Sequence, residues 1–127
     1  MQVLFEGIYT EFSNDTDLSG AVTGLYLTEA PQGTVYPYIT YSLVSNTADW
    51  TYTEDMENSL IQFSIFDDSS SSATILDIFE KLKTCYDWVT LTVTPYNSIY
   101  VKREFNILTR DNDIWKMDCQ YRIEVQK

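Results

Sequence analysis

Apolar residues along this chain change period several times, and each change marks an element. Between Gln2 and Phe12, Leu4, Ile8 and Phe12 recur at i, i+4 and i+8 with Phe5 beside them, while Glu6 and Glu11 fall off that stripe. This predicts an amphipathic first helix. Ser13-Asn14-Asp15 ends it, and a short helical turn over Asp17 to Val22 has Asp15 or Thr16 at hand as a cap. From Tyr36 the period becomes two: Ile39, Tyr41 and Leu43 point one way and Tyr38, Thr40, Ser42 and Val44 the other, with Pro37 at the start, where a missing donor does no harm. A polar connection, Ser45 to Asn58, leads to a second strand, Ser59 to Asp67, and the two read as a long hairpin.

The run Asp67-Asp68-Ser69-Ser70-Ser71-Ser72 is a loop that ends in a helix cap, with Ser71 or Ser72 as the N-cap. The helix it opens, Ala73 to Tyr86, gathers Ile75, Ile78, Phe79, Leu82, Cys85 and Tyr86 on one stripe. Three strands are expected to follow: Val89 to Thr94, Ile99 to Leu108 and Ile114 to Gln126, separated by Pro95-Tyr96-Asn97-Ser98 and Arg110-Asp111-Asn112-Asp113 turns. In the last strand Trp115, Met117, Cys119, Tyr121, Ile123 and Val125 alternate without a break against polar residues, so one face is buried and the other solvated. The fold class is therefore α+β: a mainly antiparallel sheet, built from the long hairpin and a C-terminal three-strand meander, with two helices packed on one face. The 127 residues carry no internal repeat and no second composition zone, and read as a single domain, 1–127.

Composition narrows the chemistry. There is no histidine, which removes imidazole bases, catalytic triads and His-containing zinc sites. Nineteen acidic against eight basic residues give a net charge of −11, so contact with nucleic acid is expected to be repulsive. Gly7, Gly20, Gly24 and Gly33 are not spaced to form a phosphate-binding loop, and no cofactor or metal is expected. Asp111-Asn112-Asp113 lacks the further oxygen ligands of a calcium loop and reads as a hairpin turn. The N-terminal MQVLFEGIYTEF has no basic n-region and carries two glutamates, so neither a signal peptide nor a membrane span is expected there, and Cys85 and Cys119 are expected to stay reduced in a cytosol.

The stretch Gly24 to Asn46, GLYLTEAPQGTVYPYITYSLVSN, contains a short apolar strand, an Ala-Pro-Gln-Gly loop and a Pro-Tyr-Ile-Thr-Tyr strand start. It resembles the corresponding block of the tail-completion proteins of long-tailed bacteriophages, also called tail terminators or head-to-tail joining proteins. The closing strand, IWKMDCQYRIEV, is similar to the family's last strand, with Cys119 where many relatives carry Phe. The resemblance spans nearly the whole chain. It implies a structural virion protein and no enzyme: a hexameric ring that caps the tail tube, meets the head connector and lets DNA pass without gripping it, away from any membrane. It would work in the virion neck after assembly in the host cytoplasm.

Several residues are candidates for the surfaces such a protein needs. Gly33, after Ala30-Pro31-Gln32, suits a turn with positive φ, and the loop of Pro31 and Gly33 is a candidate subunit contact. Tyr36 and Tyr38 join it as aromatic contact candidates. Trp50 and Tyr52 stand amid acidic residues in the hairpin connection, where large aromatics mark interaction sites. Glu54, Asp55 and Glu57 are candidates for an acidic lumen. Two readings of other classes compete: an acidic α+β binding module, and a small hydrolase working through carboxylates.

Overall fold

The computed structural model describes residues 2–50 and 55–127, and the side chains of all of these except 47–50 and 55. The first helix, α1 (Gln2–Asn14), buries Leu4, Ile8 and Phe12 as its stripe requires. Asp15 then serves two helices at once. Its N–H donates to Glu11 O and Phe12 O at 3.1 and 3.2 Å, and its carboxylate caps α2 (Thr16–Ala21) by accepting from Leu18 N at 3.0 Å. With α3 (Ala73–Tyr86) the helices among the described residues number three, not the two expected, because this cap suffices to hold a six-residue helix whose Leu18 is fully buried.

Among the described residues five strands form one sheet in the order β1-β2-β3-β5-β4: β1 (Leu25–Leu27), β2 (Tyr38–Trp50), β3 (Asp55–Asp67), β4 (Asn97–Asp111) and β5 (Ile114–Gln126). Every pairing is antiparallel except that of β1 with β2, where Leu25 to Leu27 run parallel to Ile39 to Tyr41. Between these two, Thr34 N donates to Pro31 O at 3.1 Å and Gly33 has φ 84°, the positive-φ turn that its place after Pro31 and Gln32 suggests. The last hairpin closes on Asn112 and Asp113 with φ 51° and 63°, a two-residue turn whose twist matches the strands it joins.

Two strand expectations need correction. The polar connection Ser45 to Asn58 is mostly strand: pairing runs from Ser45↔Leu60 to Trp50↔Asp55, after a bulge at Val44. Backbone pairing does not require an apolar face, and a hairpin arm at the sheet margin is free to carry polar side chains. Val89 to Thr94, in contrast, belongs to no strand, so the expected meander is two strands and an extended segment. Leu91 and Val93 are buried, but they face α1, whose Gly7 lies so close that a Cβ there would stand 2.8 Å from Thr92 O and 3.0 Å from Val93 Cγ1.

The helices and this segment cover one face of the sheet. Ile61, Phe63 and Ile65 of β3 and Met117, Cys119, Tyr121, Ile123 and Val125 of β5 meet Ile75, Ile78, Phe79, Leu82 and Tyr86 of α3 across a core of well-buried side chains. The other face carries a polar ladder, in which Ser64 Oγ donates to Asp118 at 2.7 Å and Gln120 Nε2 to Gln62 Oε1 at 3.1 Å.

The contact at Gly7 is testable. Gly7→Ala forces α1 off the Thr92 carbonyl and is expected to destabilise the fold by about 1–3 kcal/mol, the usual cost of overpacking. Gly20→Ala in α2, with nothing within 4 Å of its added methyl, is expected to be neutral or to stabilise by up to ~1 kcal/mol. Urea unfolding of both variants checks this; equal effects would show that α1 and the segment beneath it do not touch as closely as described.

Candidate assembly surfaces

Among the described residues, no group of three or more His, Cys, Asp or Glu is placed to hold a metal ion. A charged cluster lies at the end of α3. Asp87 closes the helix, its N–H donating to Lys83 O at 2.8 Å, and its carboxylate accepts from Arg103 Nε at 3.3 Å and from the Tyr121 hydroxyl. Burial, and then its bond to Asp87, push the Tyr121 hydroxyl's pKa far up, so it stays protonated and donates. This clamp joins α3 to β4 and β5 and fixes the position of the next residue.

That residue is Trp88. Its φ is 59°, in the left-handed region that a bulky side chain rarely enters, at a cost of about 1–3 kcal/mol. Its N–H donates to Val101 O at 2.8 Å, which ties it to β4, while the indole remains 68% exposed beside Tyr100. Backbone strain is thus maintained at a position where a large aromatic side chain faces water.

Across the sheet, on the side of β1, lies an open groove of about 700 Å3 between α1 and the sheet, lined chiefly by Phe5, Tyr9, Leu27 and Tyr41, with Glu6 on its rim. Phe5 packs edge-on to Tyr41, whose hydroxyl donates to Phe5 O at 3.4 Å. Tyr9 and Leu27 are 48% and 46% exposed. Neither Trp88 nor this groove was among the sequence candidates. Tyr9 is an aromatic residue off the buried stripe of α1, and that was the available signal for the groove. Nothing local marks Trp88, because distant residues set its backbone.

The sequence candidates do not form one site. Pro31 and Gly33 are exposed in their turn. Tyr36 and Tyr38 are half-buried and come together with Tyr26 and Phe66 in an aromatic cluster on the uncovered face, Tyr38 stacking on Phe66 at 5.0 Å. Trp50 and Asp55 pair with each other at the hairpin end, but their side chains lie outside those described, and Tyr52 and Glu54 fall among the residues not described. Glu57 is half-buried on β3, opposite Val125 of β5.

The fold also sorts the charge. All eight Lys and Arg lie at or beyond Lys81, and 13 of the 19 acids precede it. Since α1, α2, β1, β2 and β3 come before Lys81 and β4 and β5 after it, the first five of these elements carry no lysine or arginine while β4 and β5 carry five.

No family model matches the sequence, and no curated protein does. Solved structures share the fold. One is a chain of the virion of a native gene transfer agent particle, with a TM-score of 0.79 and 14% identity, over 96% of this chain and 93% of that one. Another has a TM-score of 0.54 and 9% identity over 98% of this chain and 92% of its own. At these identities the likeness establishes a common α+β architecture.

The two cysteines give a chemical check on the packing between α1, α3 and the sheet. Both are free and buried, and burial raises each thiol from about 9 to about 12. At pH 8 neither is expected to react with a thiol reagent such as DTNB until the chain is unfolded, when both react. Because the folded thiols hold their protons more tightly than the unfolded ones, their contribution to stability is full below about 9 and is lost as pH rises towards about 12. Rapid labelling of the native protein would show that one of them is open to solvent.

Proposed function

We propose that this chain is a structural protein of a phage-type virion, a tail-completion subunit that closes the tail tube as a ring and presents its other side to the head connector. The observation that carries this reading is the match of nearly all of this chain to nearly all of a chain in a gene transfer agent virion. The resemblance of Gly24 to Asn46 and of the last strand to phage tail-completion proteins narrows it to the neck. The physical character of the molecule fits work done by surfaces: an exposed strained tryptophan, an open aromatic groove and an uncovered sheet face.

In this reading six copies stand around a bore through which the genome moves. A net charge of −11 per copy suits that passage, since a strongly acidic ring repels phosphate as a whole. Glu54, Asp55 and Glu57 are the proposed acidic lining. The Pro31–Gly33 turn and the Tyr36–Tyr38 cluster are proposed to contact the tail tube or connector. The same charge opposes self-association, so the ring contacts must come from apolar and aromatic surfaces.

Native mass spectrometry at high protein concentration, or with the tail tube present, is expected to find a species of 6 × 14.8 kDa, about 89 kDa. Particles assembled without the protein are expected to show tails of uncontrolled length or tails that fail to join heads. Normal virions without it would remove the role, and a persistent monomer indifferent to tail tubes would favour an acidic binding module instead.

A further inference from the structure

Trp88 and the α1 groove lie on opposite margins of the same sheet. β1 and β4 are separated by four strand-to-strand steps, about 19 Å at the usual spacing. One margin offers a protruding indole held outward by a strained backbone and clamped from behind through Asp87, Arg103 and Tyr121. The other offers an open apolar hollow large enough to receive it. Tryptophan is the residue type most often found as the anchor of a protein interface, and such anchors seat in preformed pockets.

We propose that Trp88 of one copy inserts into the groove of Phe5, Tyr9 and Leu27 on the next, and that this knob and hollow form the head-to-tail contact of the ring. The proposal rests on the ring reading above. Charge selects a second copy as the occupant. The hollow has Glu6 on its rim and belongs to the part of the chain without a lysine or arginine, whereas Trp88 is tied to Val101 of β4, and β4 and β5 together carry five of the eight cations. Two hollow margins brought together would oppose acid to acid; knob margin to hollow margin sets cations against carboxylates. A contact between two different patches at opposite sides of one molecule is heterologous, and repeated by rotation it closes a ring.

The test uses two full-length variants and their mixture. Trp88→Gly removes the knob and places at φ 59° the residue that accepts it without strain, so its Tm is expected at or above that of the wild type. Tyr9→Glu spoils the hollow at an exposed helical position; Leu27→Asp serves in its place if that chain fails to fold. By native mass spectrometry each variant alone is expected to be a monomer under conditions where the wild type is a ring. An equimolar mixture is expected to give a 1:1 dimer and nothing larger, because one good knob then meets one good hollow. Either variant alone keeping the wild-type mass, either stopping at a homodimer, or two folded variants staying monomeric when mixed overturns the contact while leaving the ring in place. A wild type that is monomeric even with its tail tube overturns both.

Discussion

Alternating burial along β5 is the constraint on which the rest of the molecule depends. Met117, Cys119, Tyr121, Ile123 and Val125 are each no more than 3% exposed, and the residues between them face the uncovered side. β5 also pairs along both its edges, with β3 on one side and β4 on the other. A register slip by one residue would expose that whole apolar row and bury lysine, aspartate and arginine in its place. The one-sided sheet, the helices on it and the free polar ladder behind it all follow from that row.

Most of this was legible from periodicity. The stripes of α1 and α3 and the alternation of β5 name residues that the structure buries. Periodicity reports which side chains leave water and does not report what the backbone pairs with, so Val89 to Thr94, with its alternating Leu91 and Val93, reads as a strand although it lies under α1 instead. The reverse holds for Ser45 to Trp50, whose polar residues give no apolar alternation while their backbones pair in the hairpin. The capped α2 was visible as a possibility through Asp15, but six residues carry too little pattern to be counted.

The surfaces were less legible for a physical reason. The groove draws on α1, β1 and β2, brought together by the parallel β1–β2 pairing, which leaves little trace in a three-residue strand. Trp88 owes its backbone to Arg103 and Tyr121, which lie in later strands. The aromatic pair Tyr36 and Tyr38, by contrast, was visible as an excess of tyrosine, and the fold places both on the uncovered face with Phe66. Local patterns thus locate the core well, and exposed features built from distant segments poorly.

One interior strand of the sheet, β5, is also the one that follows all the others in sequence. During synthesis β2 and β3 can zip as a hairpin, yet β4 has nowhere to dock until β5 emerges and slots between it and β3. Until that moment the nascent chain is an incomplete sheet with an open inner edge, and its first 80 residues carry 13 negative charges and no positive one. Mutual repulsion between such unfinished chains is a built-in guard against their sticking to one another on a crowded polysome.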